Sequence, residues 1–176
     1  MSRWKKVLNT SPRPGSSSPD FTYCSIPPLN SLPFIVRQPE TKAEFKDYYH
    51  LRWKLLRAAW HQPEGSEVDD IETGCFHVIA IDSEDTIIGV ARLQFNSDNE
   101  TQIRYMAVAP QYQRQGVGRS MINYMEDHAM GTGHHNLVLD AREPAVGFYE
   151  KLGYEVIDKS YLLFDEIQHY KMQKHL

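Results

Sequence analysis

The sequence contains few cysteines and no long hydrophobic run. Its two cysteines, Cys24 and Cys75, cannot form a disulfide framework, and a chain of 176 residues is long enough to bury a core without one. We therefore expect a reducing, cytoplasmic compartment. The longest stretch without a charged residue, residues 21–36, includes three prolines and is shorter than the about 20 residues that a membrane-spanning helix requires. We expect a soluble protein that does not associate with membranes.

The sequence also lacks an excess of positive charge. Lysine and arginine total 19 and aspartate and glutamate total 23, which gives a net charge of −4 at pH 7. A chain with this charge has no general attraction for a phosphate backbone, so nucleic acid is not an expected partner. With 41% hydrophobic residues at this length, one core is expected.

Residues 1–33 are rich in serine and proline and predict an extended N-terminal arm. The first nineteen residues are basic and carry no acid, which is also typical of an organelle transit peptide. Prolines at positions 12, 14 and 19 disfavour the amphipathic helix of such a peptide, and there is no apolar stretch for a secretory signal. One candidate surface for the arm is a second copy of the chain, which makes a homodimer a hypothesis. Residues 34–176 are expected to form a single domain.

A long helix and a polar loop are predicted in the first half of this domain. Thr41 and Glu44 form a capping box, and the helix that begins there is expected to extend to about residue 60. Its apolar stripe, with residues three and four apart, is predicted to face the core: Phe45, Tyr49, Trp53, Leu56 and Trp60. The segment 61–73 carries five carboxylates and is expected to be a solvated loop.

Apolar and alternating runs predict seven strands, and glycine-terminated patterns predict two further helices. The strands are expected at 34–36, 76–81, 86–95, 101–109, 137–139, 154–157 and 167–173. The second helix begins at Val117 and ends at Gly131, whereas the short third helix has Pro144 in its first turn and ends at Gly153. An α/β domain with a mixed sheet follows.

The segment 108–120, VAPQYQRQGVGRS, lies between a predicted strand and a helix and is typical of an anion site. The first N–H groups of a helix have no partner within the helix, and its dipole attracts negative charge. Glycine at 116 and 118 lets a phosphate approach those groups. Arg119 replaces the lysine of a Walker loop, and Met121 replaces the third glycine of a dinucleotide fingerprint. We expect a phosphate or pyrophosphate site, with a purely structural turn as the alternative.

A second pattern, AVGFYEKLGYEV at 145–156, accompanies this loop. Together with RYMAVAPQYQRQGVGRSMINYME at 104–126, it resembles the GNAT superfamily of acyl-CoA-dependent N-acyltransferases, and the resemblance covers about residues 34–176. It implies the GNAT fold: a mixed, mostly antiparallel central sheet, splayed between the fourth and fifth strands and flanked by helices. It also implies acetyl-CoA as the co-substrate.

The resemblance implies a set of site residues. Tyr149 matches the tyrosine that protonates the departing CoA thiolate, and a backbone N–H near Val108 is implied to stabilise the oxyanion. The pantetheine arm is implied to lie along the strand and the pyrophosphate on the loop. The implied cofactor-binding residues are Met106, Ala107, Val108, Gln113, Arg114, Gln115, Gly116, Val117, Gly118, Arg119 and Ser120.

Two positions depart from the family's pattern. Gln102 stands where some members have a glutamate general base, and Arg142 stands where members often have an asparagine. The general base is therefore unassigned. Asp140 and His169 are candidates by placement, with structural polar roles as the alternative. In this family the segment after the first helix often walls the acceptor site, and the acidic segment 61–73 would then attract a cationic amine.

The sequence thus predicts an N-acetyltransferase that moves an acetyl group from acetyl-CoA directly to a small-molecule or peptide amine. No acyl-enzyme is expected, because neither cysteine lies in the motif region. A non-catalytic acyl-CoA sensor or scaffold of the same fold is the alternative, motivated by Gln102, and a different acyl donor is a further one. No metal is expected, because His128, His134 and His135 lack a further ligand at zinc spacing and are interpreted as surface histidines.

Overall fold

A seven-stranded sheet forms the centre of the domain in the computed structural model, which describes residues 33–176. The predicted N-terminal arm lies outside the described residues except for residue 33. The strands are β1 (Phe34–Arg37), β2 (Phe76–Asp82), β3 (Ile87–Phe95), β4 (Glu100–Val108), β5 (Asn136–Arg142), β6 (Glu155–Leu163) and β7 (Ile167–His175). The helices are α1 (Lys42–Leu56), α2 (Val117–Gly131) and α3 (Val146–Glu150).

The strands lie in the order β1-β2-β3-β4-β5-β7-β6. Every neighbouring pair is antiparallel except β4 and β5, which are parallel. This arrangement confirms the mixed, mostly antiparallel sheet. No helix in the described part of the chain is both long enough and apolar enough to cross a membrane.

The two parallel strands pair only over their first residues. The last aligned pair is Ile103 with Leu139, yet β4 continues to Val108 and β5 to Arg142. Antiparallel pairing of β5 with β7 extends along the whole of β5, so β5 keeps a complete ladder on one edge only. The second halves of β4 and β5 therefore diverge and leave a cleft, which confirms the predicted splay.

A bulge in β4 accompanies the divergence. The register of β3 with β4 shifts between Val90 and Arg92, so that Tyr105 and Met106 together lie opposite Ala91. Tyr105 has a φ of 53°, an uncommon conformation for an aromatic residue. Because a bulge bends its strand and increases its twist, this one directs the end of β4 away from β5.

Helices cover both faces of the sheet. The predicted core face of α2 is confirmed by five buried residues: Val117, Met121, Ile122, Met125 and Ala129. They belong to the larger of two hydrophobic clusters, which also contains Ile103 and Leu139. The smaller cluster is on the α1 side and includes Tyr48, Ile79 and Val90.

The prediction for α1 is only partly correct. The capping box at Thr41 is present, but the helix ends at Leu56, and residues 58–60 form a separate 3₁₀ turn. The residues of α1 that are fully buried are Tyr48 and Arg52, whereas the aromatic stripe is only half-buried. The Tyr48 hydroxyl donates to the carbonyl oxygen of Ala91, so its polar end has a partner inside the protein. Hydrophobic periodicity cannot identify a face that is buried through polar pairing.

The acidic segment 61–73 is not simply a solvated loop, and that prediction was wrong for three of its five carboxylates. Arg92 on β3 is fully buried and holds Asp69 through two hydrogen bonds of 2.6 and 2.8 Å. Glu72 holds the equally buried Arg52 at 2.7 and 3.2 Å. Glu67 is also buried. The segment thus supplies the carboxylates that neutralise two arginines beneath the sheet, that is, on the face that α1 covers.

Several other boundaries differ from the predicted ones. β5 extends over Asn136–Arg142 because β7 pairs with it throughout, and β6 continues to Leu163 rather than ending near 157. Most of β6 is exposed on the edge of the sheet, so it lacks the burial pattern that marks a strand in sequence. The third helix comprises only Val146–Glu150 and follows a 3₁₀ turn at 143–145.

We expect Asp69→Asn to destabilise the fold. The Arg92 guanidinium lowers the pKa of Asp69 to about 2, below the about 3.9 of an unfolded aspartate. The ion pair therefore contributes stability above about pH 4, and this contribution is lost as the pH falls from about 4 toward 2. The substitution should reduce the free energy of unfolding at pH 7 by roughly 1–3 kcal/mol, measured by urea denaturation.

The neighbouring Asp70→Asn is the matched control. Asp70 is exposed, so its substitution should change the free energy of unfolding by no more than about 0.5 kcal/mol. Equal effects of the two substitutions would show that the Asp69–Arg92 pair does not stabilise the fold.

Candidate active site

A cavity of about 490 Å³ occupies the cleft between β4 and β5. Its walls are residues 102–108 of β4, residues 139–142 of β5, residues 55–57 at the end of α1, and parts of β6, β7 and α3. The cavity brings together two groups of predicted residues: Met106, Ala107, Val108, Gln113 and Tyr149 from the cofactor motifs, and Gln102, Asp140, Arg142 and His169 from the acceptor side.

The loop after β4 presents backbone N–H groups at the start of α2. Gly116 is the N-cap of this helix, with a φ of 87° and no side-chain capping bond. Arg114 also has a positive φ, of 61°. Alternating conformations of this kind turn successive N–H groups toward one side, and the uncapped helix start adds its dipole. The predicted loop residues Gln115, Val117, Arg119 and Ser120 surround this point, although the side chain of Val117 is buried in the core.

Gly118 lies close to two side chains, those of Phe148 and Met106. A Cβ at this position would lie 3.2 Å from the ring of Phe148 and 3.5 Å from the terminal methyl of Met106. Phe148 is 37% exposed, so its ring can shift by the small amount that such a contact requires. Packing alone therefore does not require glycine at position 118, and the anion site at this loop stays a prediction.

The end of β4 has one backbone edge that faces the cleft. Ala109 donates its N–H to the carbonyl oxygen of Ile88 at 2.8 Å, on the β3 side. Because alternate residues of a strand point their N–H groups to opposite edges, the N–H of Val108 faces away from β3. The carbonyl of Val108 accepts a hydrogen bond of 3.0 Å from the Gln113 side chain, which ties the loop to the strand.

Tyr149 lines the cavity and is otherwise packed in the core. Tyr149 is 7% exposed and belongs to the larger core cluster, whereas its neighbour Phe148 is 37% exposed. Burial raises the pKa of Tyr149, so its hydroxyl stays protonated at neutral pH. No hydrogen bond within the described residues occupies this hydroxyl. It is therefore a neutral donor at the wall of the cavity.

Tyr149 belongs to the core cluster on the α2 face of the sheet, whereas Asp140 and His169 lie on the opposite face. Asp140 already accepts two hydrogen bonds, from Gln102 at 3.0 Å and from Ser160 at 2.6 Å. His169 is 4% exposed and stacks on Tyr161, with ring centroids 4.6 Å apart. Burial lowers the pKa of His169, so the ring is neutral at pH 7.

The hydrogen bonds of His169 define its tautomer. Its Nδ1 lies 2.9 Å from the carbonyl oxygen of Ile167. A carbonyl only accepts, so Nδ1 carries the hydrogen and Nε2 keeps a lone pair. Since His169 is on the cavity wall, this lone pair is a candidate proton acceptor.

Three arginines line the same cavity: Arg57, Arg104 and Arg142. No residue of the acidic segment 61–73 lines it. The expectation that this segment walls the acceptor site is therefore not met. Its carboxylates instead contact Arg52 and Arg92 beneath the sheet.

Sequence reasoning missed Arg57, Arg104 and Tyr161 as cavity residues. Arg57 follows the end of a helix that was predicted to continue, and Tyr161 lies on a part of β6 that was not predicted at all. A signal existed for the buried ion pairs, because Arg92 interrupts the apolar run of β3. A charged residue in such a run indicates a buried partner.

The histidines near the end of α2 have structural contacts. His128 stacks flat on Phe76, with ring centroids 3.5 Å apart, and is half-buried rather than a surface residue. His134 packs on Phe95 at 5.0 Å. Among residues 33–176 there is no group of three or more His, Cys, Asp or Glu side chains that could hold a metal ion.

Known proteins share this fold. The chain is 26% identical to an uncharacterized N-acetyltransferase of Bacillus subtilis, YjcF, over 77% of this chain and 95% of that protein. Its fold is similar to an acyl-CoA N-acyltransferase from Pseudomonas aeruginosa, with a TM-score of 0.68, 20% identity and coverage of 82% and 99%. It is also similar to an aminoglycoside 6'-N-acetyltransferase in complex with coenzyme A, with a TM-score of 0.65, 16% identity and coverage of 80% and 96%. Residues 45–154 match the sequence model of the acetyltransferase (GNAT) family, and the chain belongs to this family.

Proposed function

We propose that the protein transfers an acetyl group from acetyl-CoA directly to a primary amine. Acetyl-CoA is the co-substrate of the family to which the chain belongs. The observation that carries the proposal is the cleft between β4 and β5, whose walls come from both faces of the sheet. A cleft with two sides can hold a thioester and an amine together, as direct transfer requires.

The α2 side of the cleft suits the cofactor. The pyrophosphate would contact the N–H groups of residues 113–120, where the helix start is uncapped. The pantetheine arm would lie along residues 106–108, where the edge of β4 that faces β5 has no partner strand within residues 33–176. Main-chain amides of an extended ligand can pair with such an edge.

The remaining groups supply the proton transfers. As the amine nitrogen bonds to the thioester carbon, the N–H of Val108 stabilises the oxyanion. His169 Nε2 accepts the proton that the attacking amine releases. The C–S bond then breaks, and the hydroxyl of Tyr149 donates its proton to the departing sulfur. The acetylated amine and CoA are the products.

His169 fits the role of base better than Asp140. Both oxygens of Asp140 already accept hydrogen bonds from the protein, whereas Nε2 of His169 retains its lone pair. Gln102, an amide at the position of the expected glutamate, donates to Asp140 and cannot accept the proton. The absence of a glutamate base therefore does not favour a non-catalytic sensor.

Incubation with [1-¹³C]acetyl-CoA and a panel of primary amines tests the proposal. Release of CoA in equal amount to acetylated amine, detected by thiol titration and mass spectrometry, is the expected result. Binding of acetyl-CoA without acetylation of any amine would favour the sensor.

We expect Gly118→Glu to weaken CoA binding by at least about tenfold. The new carboxylate would occupy the space of the pyrophosphate and repel it at the start of α2. Isothermal titration calorimetry with CoA measures the effect. Gly131→Glu is the matched control, because Gly131 ends the same helix and has open space around it. Unchanged affinity in Gly118→Glu would place the pyrophosphate elsewhere.

We expect Tyr149→Phe to lower kcat by about 10² to 10⁴, the usual contribution of general acid catalysis, and to change acetyl-CoA affinity by only a few-fold. Tyr154→Phe is the matched control. Tyr154 is buried nearby and its hydroxyl donates to Glu126, so its loss should reduce stability but not kcat. A kcat within about threefold of the parent would exclude Tyr149 as the proton donor.

We expect kcat to rise with pH through a midpoint below 6.5, because burial lowers the pKa of His169 and only the neutral ring accepts a proton. His169→Gln should remove this dependence and lower kcat by about 10² to 10⁴. His135→Gln, at an exposed histidine, is the control and should leave the profile unchanged. Retention of the acid limb in His169→Gln would assign it to another group.

A further inference from the structure

The acceptor side of the cavity carries more positive than negative charge. Arg57, Arg104 and Arg142 line it, and Asp140 is the one carboxylate among the described residues that does so. The two oxygens of Asp140 bond to Gln102 and Ser160 rather than to an arginine. None of the three arginines has an ion-pair partner within residues 33–176.

The arginines beneath the sheet, in contrast, both have ion-pair partners. Arg52 and Arg92 are fully buried, and Asp69 and Glu72 neutralise both. Burying an unpaired guanidinium is unfavourable, which explains why the protein supplies carboxylates there. The same acidic segment supplies no carboxylate to the cavity. Arg57 donates to the carbonyl oxygens of Ser66 and Leu56, and Arg142 donates to that of Leu56 at 3.5 Å, but these neutral partners leave the positive charge of the cavity uncompensated.

The geometry of the three guanidinium groups brings them together. Arg57 and Arg104 both lie near the ring of Tyr105, at 5.6 and 5.3 Å from its centroid. Arg142 is half-buried, and its pKa is lowered by burial and by the charge of Arg57. Arg142 also lies 4.7 Å from the ring of Trp60, which fixes its orientation.

The arginines are on the side proposed for the amine. Leu139 and Ala141 of β5 belong to the core cluster with α2, so Arg142, with the opposite parity, points to the other face of the sheet. His169 lies directly opposite Arg142 in the β5–β7 register and shares that face. The loop that would hold the CoA phosphates begins after β4, on the α2 side.

We infer that the acceptor is an amine that also carries an oxyanion group, a carboxylate or a phosphate, which Arg57, Arg104 and Arg142 bind. This inference rests on the proposed function and names the class of its acceptor. The planar guanidinium group matches both anions through paired N–H donors. It replaces the cationic acceptor that the acidic segment 61–73 would have attracted.

Calorimetric binding to the CoA-loaded protein tests the inference without requiring turnover. The carboxylate probes are glycine, β-alanine and glutamate, each compared with the primary amide of its carboxyl groups. The phosphate probe is 2-aminoethyl phosphate, compared with 2-aminoethanol. We expect at least one anionic probe to bind tenfold or more tightly than its neutral counterpart, and the two arms distinguish carboxylate from phosphate.

Arg104→Gln is the principal variant, because Arg57 and Arg142 hydrogen-bond to backbone carbonyls whereas the Arg104 side chain makes no hydrogen bond or ion pair within residues 33–176 that the substitution would remove. It should weaken binding of the preferred anionic probe by about 10- to 100-fold and leave its neutral counterpart within about threefold. Arg142→Gln should act in the same direction. Lys46→Gln, which removes an exposed charge of α1 outside the cavity, is the control and should have no effect.

Three binding results would overturn the inference: no anionic probe binding more tightly than its neutral counterpart, equal losses in Lys46→Gln and Arg104→Gln, or a loss of CoA affinity in Arg104→Gln without loss of anion affinity. Failure of the proposed function gives a different result, in which the anionic probe binds selectively but no acetylated product forms. If neutral amides are acetylated as efficiently as the acids, the proposed function stands and the inference fails.

Discussion

The divergence of β4 and β5 after Ile103 and Leu139 is the constraint on which the rest of the site depends. A parallel pair that continued to the ends of both strands would satisfy the backbone groups of β4 and leave no cleft. Because the strands separate, the edge of residues 104–108 lacks a partner strand within the domain. Backbone N–H and C=O groups in such a position need partners. An extended ligand with its own amides meets that need, which links the sheet defect to the binding of a pantetheine arm.

The ion pairs beneath the sheet contact the bulge of β4 at Tyr105. The ring of Tyr105, the residue of the bulge, stacks on Arg52 at 3.3 Å, and its hydroxyl donates to Asp69 at 3.1 Å. The same pair of contacts connects the bulge to α1 and to the acidic segment. A buried ion pair often adds little net stability compared with apolar packing, but it does specify a unique arrangement in some systems. Here the contacts of Tyr105 with Arg52 and Asp69 orient the bulge after which β4 diverges from β5.

The parts of the fold that local chemistry determines were predictable from sequence. The capping box at Thr41, the core face of α2 and the uncapped glycine loop at 116 each depend on residues close together in the chain, and the structure contains all three. The family resemblance added the splayed sheet. Tyr149 and His169 were singled out by motif and by position, and both line the cavity.

The parts that depend on distant partners were not predictable. Burial of Arg52 requires Glu72, twenty residues away, and this pairing overrides the aromatic stripe as the guide to the buried face of α1. The packing of Phe148 against Gly118 likewise joins residues that are far apart in the chain. The positive charge of the cavity arises from three arginines, one just after α1, one on β4 and one on β5, and no local pattern in the sequence brings them together.

A crystal structure of the protein with CoA tests the central claim most directly. The account predicts that the pantetheine arm lies between β4 and β5, with its amides paired to residues 106–108 and its sulfur near Val108 and Tyr149, while the pyrophosphate contacts the N–H groups of residues 113–120. It also predicts that the arginine side of the cavity stays open to the acceptor. Two observations would contradict the account: CoA bound outside this cleft, or the phosphates of CoA held by Arg57, Arg104 and Arg142.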